Sequence, residues 1–290
     1  MYFCIVKNLK TILDFFINAS VWVAVAVTAL VGVTYLNMEE VISNHLLWVV
    51  FFGTIFGYNF IKYFEKAQMD SFKNNTSGFG LMEIFKQFKR LTVREKLTFQ
   101  LSIISALICV VLFFKLEIKT QLALLIPLVL TFCYAVSLGY KSLRNISGIK
   151  IYIVAFVWAF VSVLLPVIES EIELSVDVWI MLLQRFVFVV ALILPFEIRD
   201  LSVDDQLLST FPQKKGVRNT KFYGILLLML FFFLEFFKDE LLEINLTVMP
   251  LIFLTTLLFL VLTKENQSKY YSSFFVEGIP VLWLLLLLIF

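Results

Sequence analysis

The chain is poor in the residues on which much enzyme chemistry depends. Its 290 residues include one histidine, His45, and three cysteines. That histidine falls in a short outer loop next to Trp48, so no Ser-His-Asp, Cys-His or histidine-metal chemistry is expected. Cys4, Cys109 and Cys133 stand far apart, so spacing excludes both a CxxC pair and a disulfide framework. They read as small hydrophobes. Charge is scarce as well: 16% of residues are Asp, Glu, Lys or Arg, and the net charge is only +2. That leaves no bulk signal for nucleic acid or an acidic partner. Neither the GxGxxG nor the P-loop glycine pattern occurs, which removes the nucleotide-binding fingerprints.

What the chain has in abundance is apolar surface. Hydrophobic residues make up 61%, phenylalanine alone numbers 33, and the mean hydropathy is +0.93. A soluble protein of this length needs far more polar residues to cover itself. A membrane helix needs about 20 mostly apolar residues. Nine segments meet that need: Phe15–Leu36, Leu46–Phe64, Leu97–Phe114, Leu122–Leu138, Ile149–Ile168, Val176–Leu194, Phe222–Phe237, Leu246–Leu262 and Phe274–Phe290. Lys7 and Lys10 precede the first, but Asp14 and Asn18 interrupt its apolar start, so the N-terminus reads as a lead-in to a span rather than a signal peptide.

The basic residues sort by side. Of 24 lysines and arginines, 20 fall in the N-terminus and alternate loops, 3 in the other loops, and Arg185 inside the sixth span. The positive-inside bias then expects an integral protein of a bacterial cytoplasmic membrane, with its N-terminus in the cytoplasm. The expected architecture is all-α: one transmembrane domain, 1–290, with two long cytoplasmic cap loops, 61–96 and 198–221. Leu81, Ile84, Phe85 and Phe88 recur at helical spacing between charges, predicting a surface amphipathic helix. Asn74 to Gly78 reads as a turn, and Thr92 to Glu95 as a capping box.

The second cap loop carries the chemistry. In Pro195-Phe196-Glu197-Ile198-Arg199-Asp200-Leu201-Ser202-Val203-Asp204-Asp205, helical spacing puts Glu197, Asp200 and Asp204 on one face. Carboxylates are costly near lipid and mark a candidate site at the mouth of a membrane helix. Such a face can hold a hard divalent cation and, through it, an anion; the plain alternative is a solvated helix end. Arg185, nine residues into the sixth span, calls for a polar partner or a cavity. Gly53 to Gly57 forms a GxxxG suited to close helix contact. His45, beside Trp48 in a short outer loop, reads as interfacial.

Residues Glu197 to Asp204 resemble the second aspartate-rich motif of the UbiA superfamily of intramembrane prenyltransferases. The stretch Thr210 to Arg218 is similar to that family's basic continuation, and Asn145 to Lys150, leading into Trp158 and Pro166, to the start of its fifth helix. Nine helices with motif loops after the second and sixth match as well. The family's first motif, NDxxDxxxD, aligns on Asn59-Phe60-Ile61-Lys62-Tyr63-Phe64-Glu65-Lys66-Ala67: Asn59 is kept, while Phe60, Tyr63 and Ala67 stand for the aspartates. The resemblance implies prenyl transfer from an isoprenyl diphosphate to a lipophilic, aromatic or other, acceptor in the bilayer. It implies Mg²⁺ held by Asp200, Asp204 and Glu197. It implies diphosphate contacts from Asn59, Lys62, Lys141, Arg144, Arg199 and Arg218. Lys62 and Lys66 would supply charge where the first motif's metal is lost. Two alternatives stand beside it: a degenerate homologue that binds isoprenoid lipid or partners a biosynthetic enzyme, and a small-molecule transporter.

Overall fold

The computed structural model describes residues 2–73, 92–135, 148–201 and 210–290. Among them every regular element is helical. The helices are α1 (Tyr2–Asn18), α2 (Val21–Asn37), α3 (Asn44–Lys73), α4 (Val93–Phe113), α5 (Ile118–Ala135), α6 (Lys150–Glu169), α7 (Val176–Asp200), α8 (Phe211–Phe237), α9 (Glu243–Leu262) and α10 (Tyr271–Ile289). Eight of them are long and apolar enough to cross a membrane, and the bent pair α1–α2 makes a ninth. The protein is therefore an integral membrane bundle, as its composition requires. The expected amphipathic helix, the 74–78 turn and Asn145 to Ser147 lie outside the described residues.

α2, α6 and α7 form the middle of the bundle. α2 is built from small and β-branched residues, and its Val23 to Tyr35 stretch is almost wholly buried. α4 lies at the edge and turns Ile103, Ile104, Leu107, Val110 and Val111 outward. Lipid tails are as apolar as these side chains, so close packing rather than the hydrophobic effect must hold the helices together. Gly224 shows how tight that packing is. A Cβ there would sit 2.6 Å from Leu260 of α9 and 2.8 Å from Leu194 of α7.

Local breaks have sequence causes. Pro166 lacks an N–H, and the turn before it, Phe160–Leu164, opens into a π-helix. Thr92 and Glu95 make the expected capping box at the start of α4. α1 and α2 meet at 67°, with Ser20 in the left-handed region at φ 60. α1 thus runs across the end of the bundle that carries most of the lysines and arginines, the basic end. Asp14 anchors it there through Lys269 and the Tyr270 hydroxyl.

The opposite end is closed by short loops whose polar groups are paired. Glu169 accepts from the Ser43 hydroxyl and the Glu117 amide. Asp177 accepts the amides of Asp239 and Glu240. Nearby, and buried, the Glu235 carboxylate accepts from Lys238 at 2.6 Å, Gln184 at 2.9 Å and Asn245 at 2.8 Å. That knot ties α7, α8 and α9 together. Arg185, in the same half of the bundle, is fully buried over the Trp283 ring at 4.6 Å and donates to Thr34 at 3.3 Å. It plays a packing role far from the basic end: 15 residues separate it from Asp200, about 22 Å of helix.

Candidate functional site

α7 continues one turn past its apolar run and ends at Asp200, so the acidic motif begins on a helix terminus at the basic end. Glu197 points inward. It is 4% exposed and forms an ion pair with Lys150, the first residue of α6, at 3.2 Å. Asp200 points outward and keeps 34% of its side chain accessible. Arg199 folds back on it as a fork: Nε donates to Oδ1 at 2.7 Å and Nη2 to Oδ2 at 3.0 Å. The remaining arm, Nη1, donates to the Ser273 hydroxyl of α10 at 2.9 Å, and the guanidinium rests over Phe196. Bidentate pairing fixes both partners in one geometry. Asp204 and Asp205 lie outside the described residues, as do Lys141 and Arg144.

Two further bonds lock this corner. The Pro195 carbonyl accepts from both Gln267 and the Ser272 hydroxyl, each at 3.3 Å. α10 therefore starts clamped to the last turns of α7. Its first six residues, Tyr271–Val276, form a π-helix, stabilised where Trp22 donates to the Phe274 carbonyl at 3.0 Å and stacks on the Phe274 ring. π-turns inside membrane helices tend to mark functional positions.

The first-motif stretch has other work. Asn59 is fully buried; its amide donates to the Ala19 carbonyl and its oxygen accepts from the Ser20 hydroxyl, both at 3.1 Å. Lys62, one turn on, donates to the Asn18 carbonyl at 3.1 Å and remains exposed. Together they brace the α1–α2 break. Phe60 continues a ladder with Phe56 and Phe64. The Tyr63 hydroxyl donates to the Glu95 carbonyl at 2.8 Å and meets Thr98, tying α3 to α4. Two positions that would hold aspartates in the resemblance are thus packing residues here.

On the far side of Asp200, α8 begins with Thr210, whose amide donates to Gln213 at 2.8 Å. It breaks at Gly216, where φ 76 and ψ 159 suit only glycine. The break leaves Lys214 and Lys215 exposed before it and Arg218 exposed just after it. The basic end thus carries Lys62, Lys150, Arg199, Lys214, Lys215 and Arg218 together with the part-exposed carboxylate of Asp200. No group of three metal-ligating side chains occurs among the described residues.

One residue has no place in the sequence reading. Glu277 directly follows the π-turn of α10, within the last apolar run. Its side chain is part-buried, and no hydrogen bond or ion pair from a described side chain reaches it. Tyr58 of α3 is part-buried as well. The Tyr58 hydroxyl accepts from Trp158 of α6 at 2.8 Å. An ionisable residue inside a span was the available signal for Glu277.

No protein-family model and no curated protein matches this sequence. Solved structures do. A UbiA homolog from Archaeoglobus fulgidus bound to GPP and Mg²⁺ has a TM-score of 0.61 at 15% identity, covering 95% of this chain and 97% of that one. An apo UbiA homolog from Aeropyrum pernix K1 reaches 0.64 at 13% identity, covering 92% and 97%. A digeranylgeranylglyceryl phosphate synthase gives 0.58 at 16% identity, covering 98% of each chain. The likeness spans nearly the whole of both chains, and the fold is that of the UbiA homologues.

Proposed function

We propose that the protein is a prenyltransferase that moves a prenyl group from an isoprenyl diphosphate to a lipophilic acceptor inside the membrane. The observation that carries this reading is the Arg199–Asp200 fork at the basic end, with exposed cations at the same end, in a fold shared with a UbiA homolog solved bound to DMAPP and Mg²⁺. The N-terminus and the basic end face the cytoplasm, where a water-soluble diphosphate head would arrive.

The diphosphate would be held by cations at that end. Arg199, whose fork closes on Asp200 in this structure, would exchange that carboxylate for phosphate oxygens as Asp200 turned to the metal, while Lys62, Arg218 and, from segments outside the described residues, Lys141 and Arg144 would add point charges. Asn59, buried against the α1–α2 break, would set the wall beneath them. A single Mg²⁺ would be held by Asp200, released from Arg199, with Asp204 from the segment outside the described residues. Glu197 keeps Lys150 at the rim rather than adding a free carboxylate. When bound, Mg²⁺ supplies charge neutralisation to a leaving diphosphate. The chain's own part is to place the head between fixed cations and exclude water from the apolar tail, so that the allylic C–O bond breaks with its electron pair on the diphosphate.

A second reading is a homologue that binds isoprenyl diphosphate without turnover, and it is favoured by the packing roles of Phe60 and Tyr63. One assay separates the two. Purified protein is given a radiolabelled C10 isoprenyl diphosphate, Mg²⁺ and extracted membrane lipid. Labelled lipid product that disappears in Asp200→Asn supports transfer. Saturable binding with no product in the wild type supports the binding-only homologue, and no binding at all overturns both.

A further inference from the structure

We infer that Arg185 anchors an internal anion site in the half of the bundle away from the basic end, and that the site takes a small monovalent ion such as chloride. The inference stands apart from the prenyl-transfer reading.

An arginine keeps its charge and offers N–H donors all round its plane. Arg185 is 1% exposed, and two contacts hold its guanidinium. It rests over the Trp283 ring at 4.6 Å, and Nη2 donates to the Thr34 hydroxyl at 3.3 Å. Thr34 has nothing more to give, because its own hydroxyl donates to the Leu30 carbonyl at 3.2 Å. Nε and Nη1 are buried without a hydrogen-bond partner, and so is the indole N–H of Trp283. The face of a ring attracts a cation but accepts nothing from the N–H edges that point away from it. Buried donors left in that condition are costly, those of a charged group most of all.

Charge separates an anion from the other small group that answers such donors, a water molecule. Glu235 is the enclosed carboxylate of this half, and it is already engaged by Lys238 at 2.6 Å, Gln184 at 2.9 Å and Asn245 at 2.8 Å. Lys238, with 5% of its side chain exposed, neutralises it. Among the described residues Arg185 therefore remains a positive charge that no carboxylate pairs. A neutral water would satisfy the N–H groups and leave that charge as it was. The Arg185–Trp283 pair presents three orphaned donors and no orphaned acceptor, which calls for a ligand that only accepts. The ion has to be small, since Phe188 and Phe231 close on Trp283 at 5.3 and 5.5 Å and the donors are sealed from solvent. It is taken in as the bundle assembles and released on unfolding, so it registers as stability.

The test follows thermal unfolding of the whole protein in detergent while sodium chloride replaces sodium gluconate at fixed ionic strength. No diphosphate is present, so the outcome is independent of whether the protein transfers prenyl groups. The melting temperature of the wild type should rise with chloride by about 2 °C or more. Arg185→Met keeps an apolar chain in the same space and removes the charge, and its melting temperature should not respond to chloride. A wild type indifferent to chloride, or a response that survives in Arg185→Met, overturns the inference. Should Arg185→Met fail to fold, wild-type crystals grown in bromide decide. An anomalous peak within hydrogen-bonding distance of Nε or Nη1 supports the anion. Density there without a bromide signal marks water and overturns it, as does the absence of any density.

Discussion

Glu235 and Glu277 are both carboxylates enclosed by the bundle, one toward each end. Glu235 accepts from Lys238, Gln184 and Asn245, so both of its oxygens are engaged and three helices are joined. Glu277 directly follows a π-turn, is part-buried and receives nothing from the described side chains. The outer half repeats the first pattern in Glu169 and Asp177, which bind loop amides and hydroxyls. The basic half repeats the second: cations and Asp200 gather at a rim with surface to spare. The saturated carboxylates hold helices and loops together, and the part-exposed Asp200 sits among cations at the rim.

The sharpest way to break this contrast is at Asp200. Asp200→Asn leaves the α7 terminus intact and should lower transfer from an isoprenyl diphosphate by about 100-fold or more, in line with loss of one electrostatic group at a reacting centre. A labelled-substrate assay reads it, and melting temperature should barely move. Glu235→Ala inverts that outcome. Lys238, 5% exposed, would be left buried without its counter-charge, and such losses cost about 3–5 kcal/mol. Thermal unfolding in detergent should show a large drop while substrate affinity in the folded fraction is kept.

Which of these contrasts could be read in advance depends on how local the cause is. Spans α3 to α10 were legible because lipid demands long apolar runs and the loops keep their cations on one side. Arg185 was legible as a buried arginine with a structural partner. The Asn59 assignment shows the limit: its partners, Ala19 and Ser20, lie 40 and 39 residues away, so only the fold reveals that it braces a helix break. Arg199 was legible as a neighbour of Asp200, but its third arm reaches Ser273, 74 residues on. Glu277 went unread because the span count absorbs single charges, although Pro280, four residues after Val276, marks the break that follows the π-turn.

Asn59→Ala tests the brace. It strands the Ala19 carbonyl and the Ser20 hydroxyl in a buried site, which costs about 1–3 kcal/mol, read as a lower melting temperature. Thr92→Ala removes the α4 cap and should cost about 1 kcal/mol. The smallest effect belongs to the exposed pair Lys119–Glu171. Lys119 holds the Glu171 carboxyl below its usual 4.5. Any stability it lends is present above that value and is lost as pH falls through the lowered one. Lys119→Ala should therefore leave the unfolding temperature unchanged at neutral pH.

The most direct test of the account is a density map of the protein with Mg²⁺ and a non-hydrolysable C10 isoprenyl diphosphate analogue. The account predicts the diphosphate against Arg199 and Asp200 at the basic end, with the prenyl tail running in among the apolar spans. A diphosphate bound away from Arg199 and Asp200 would contradict it.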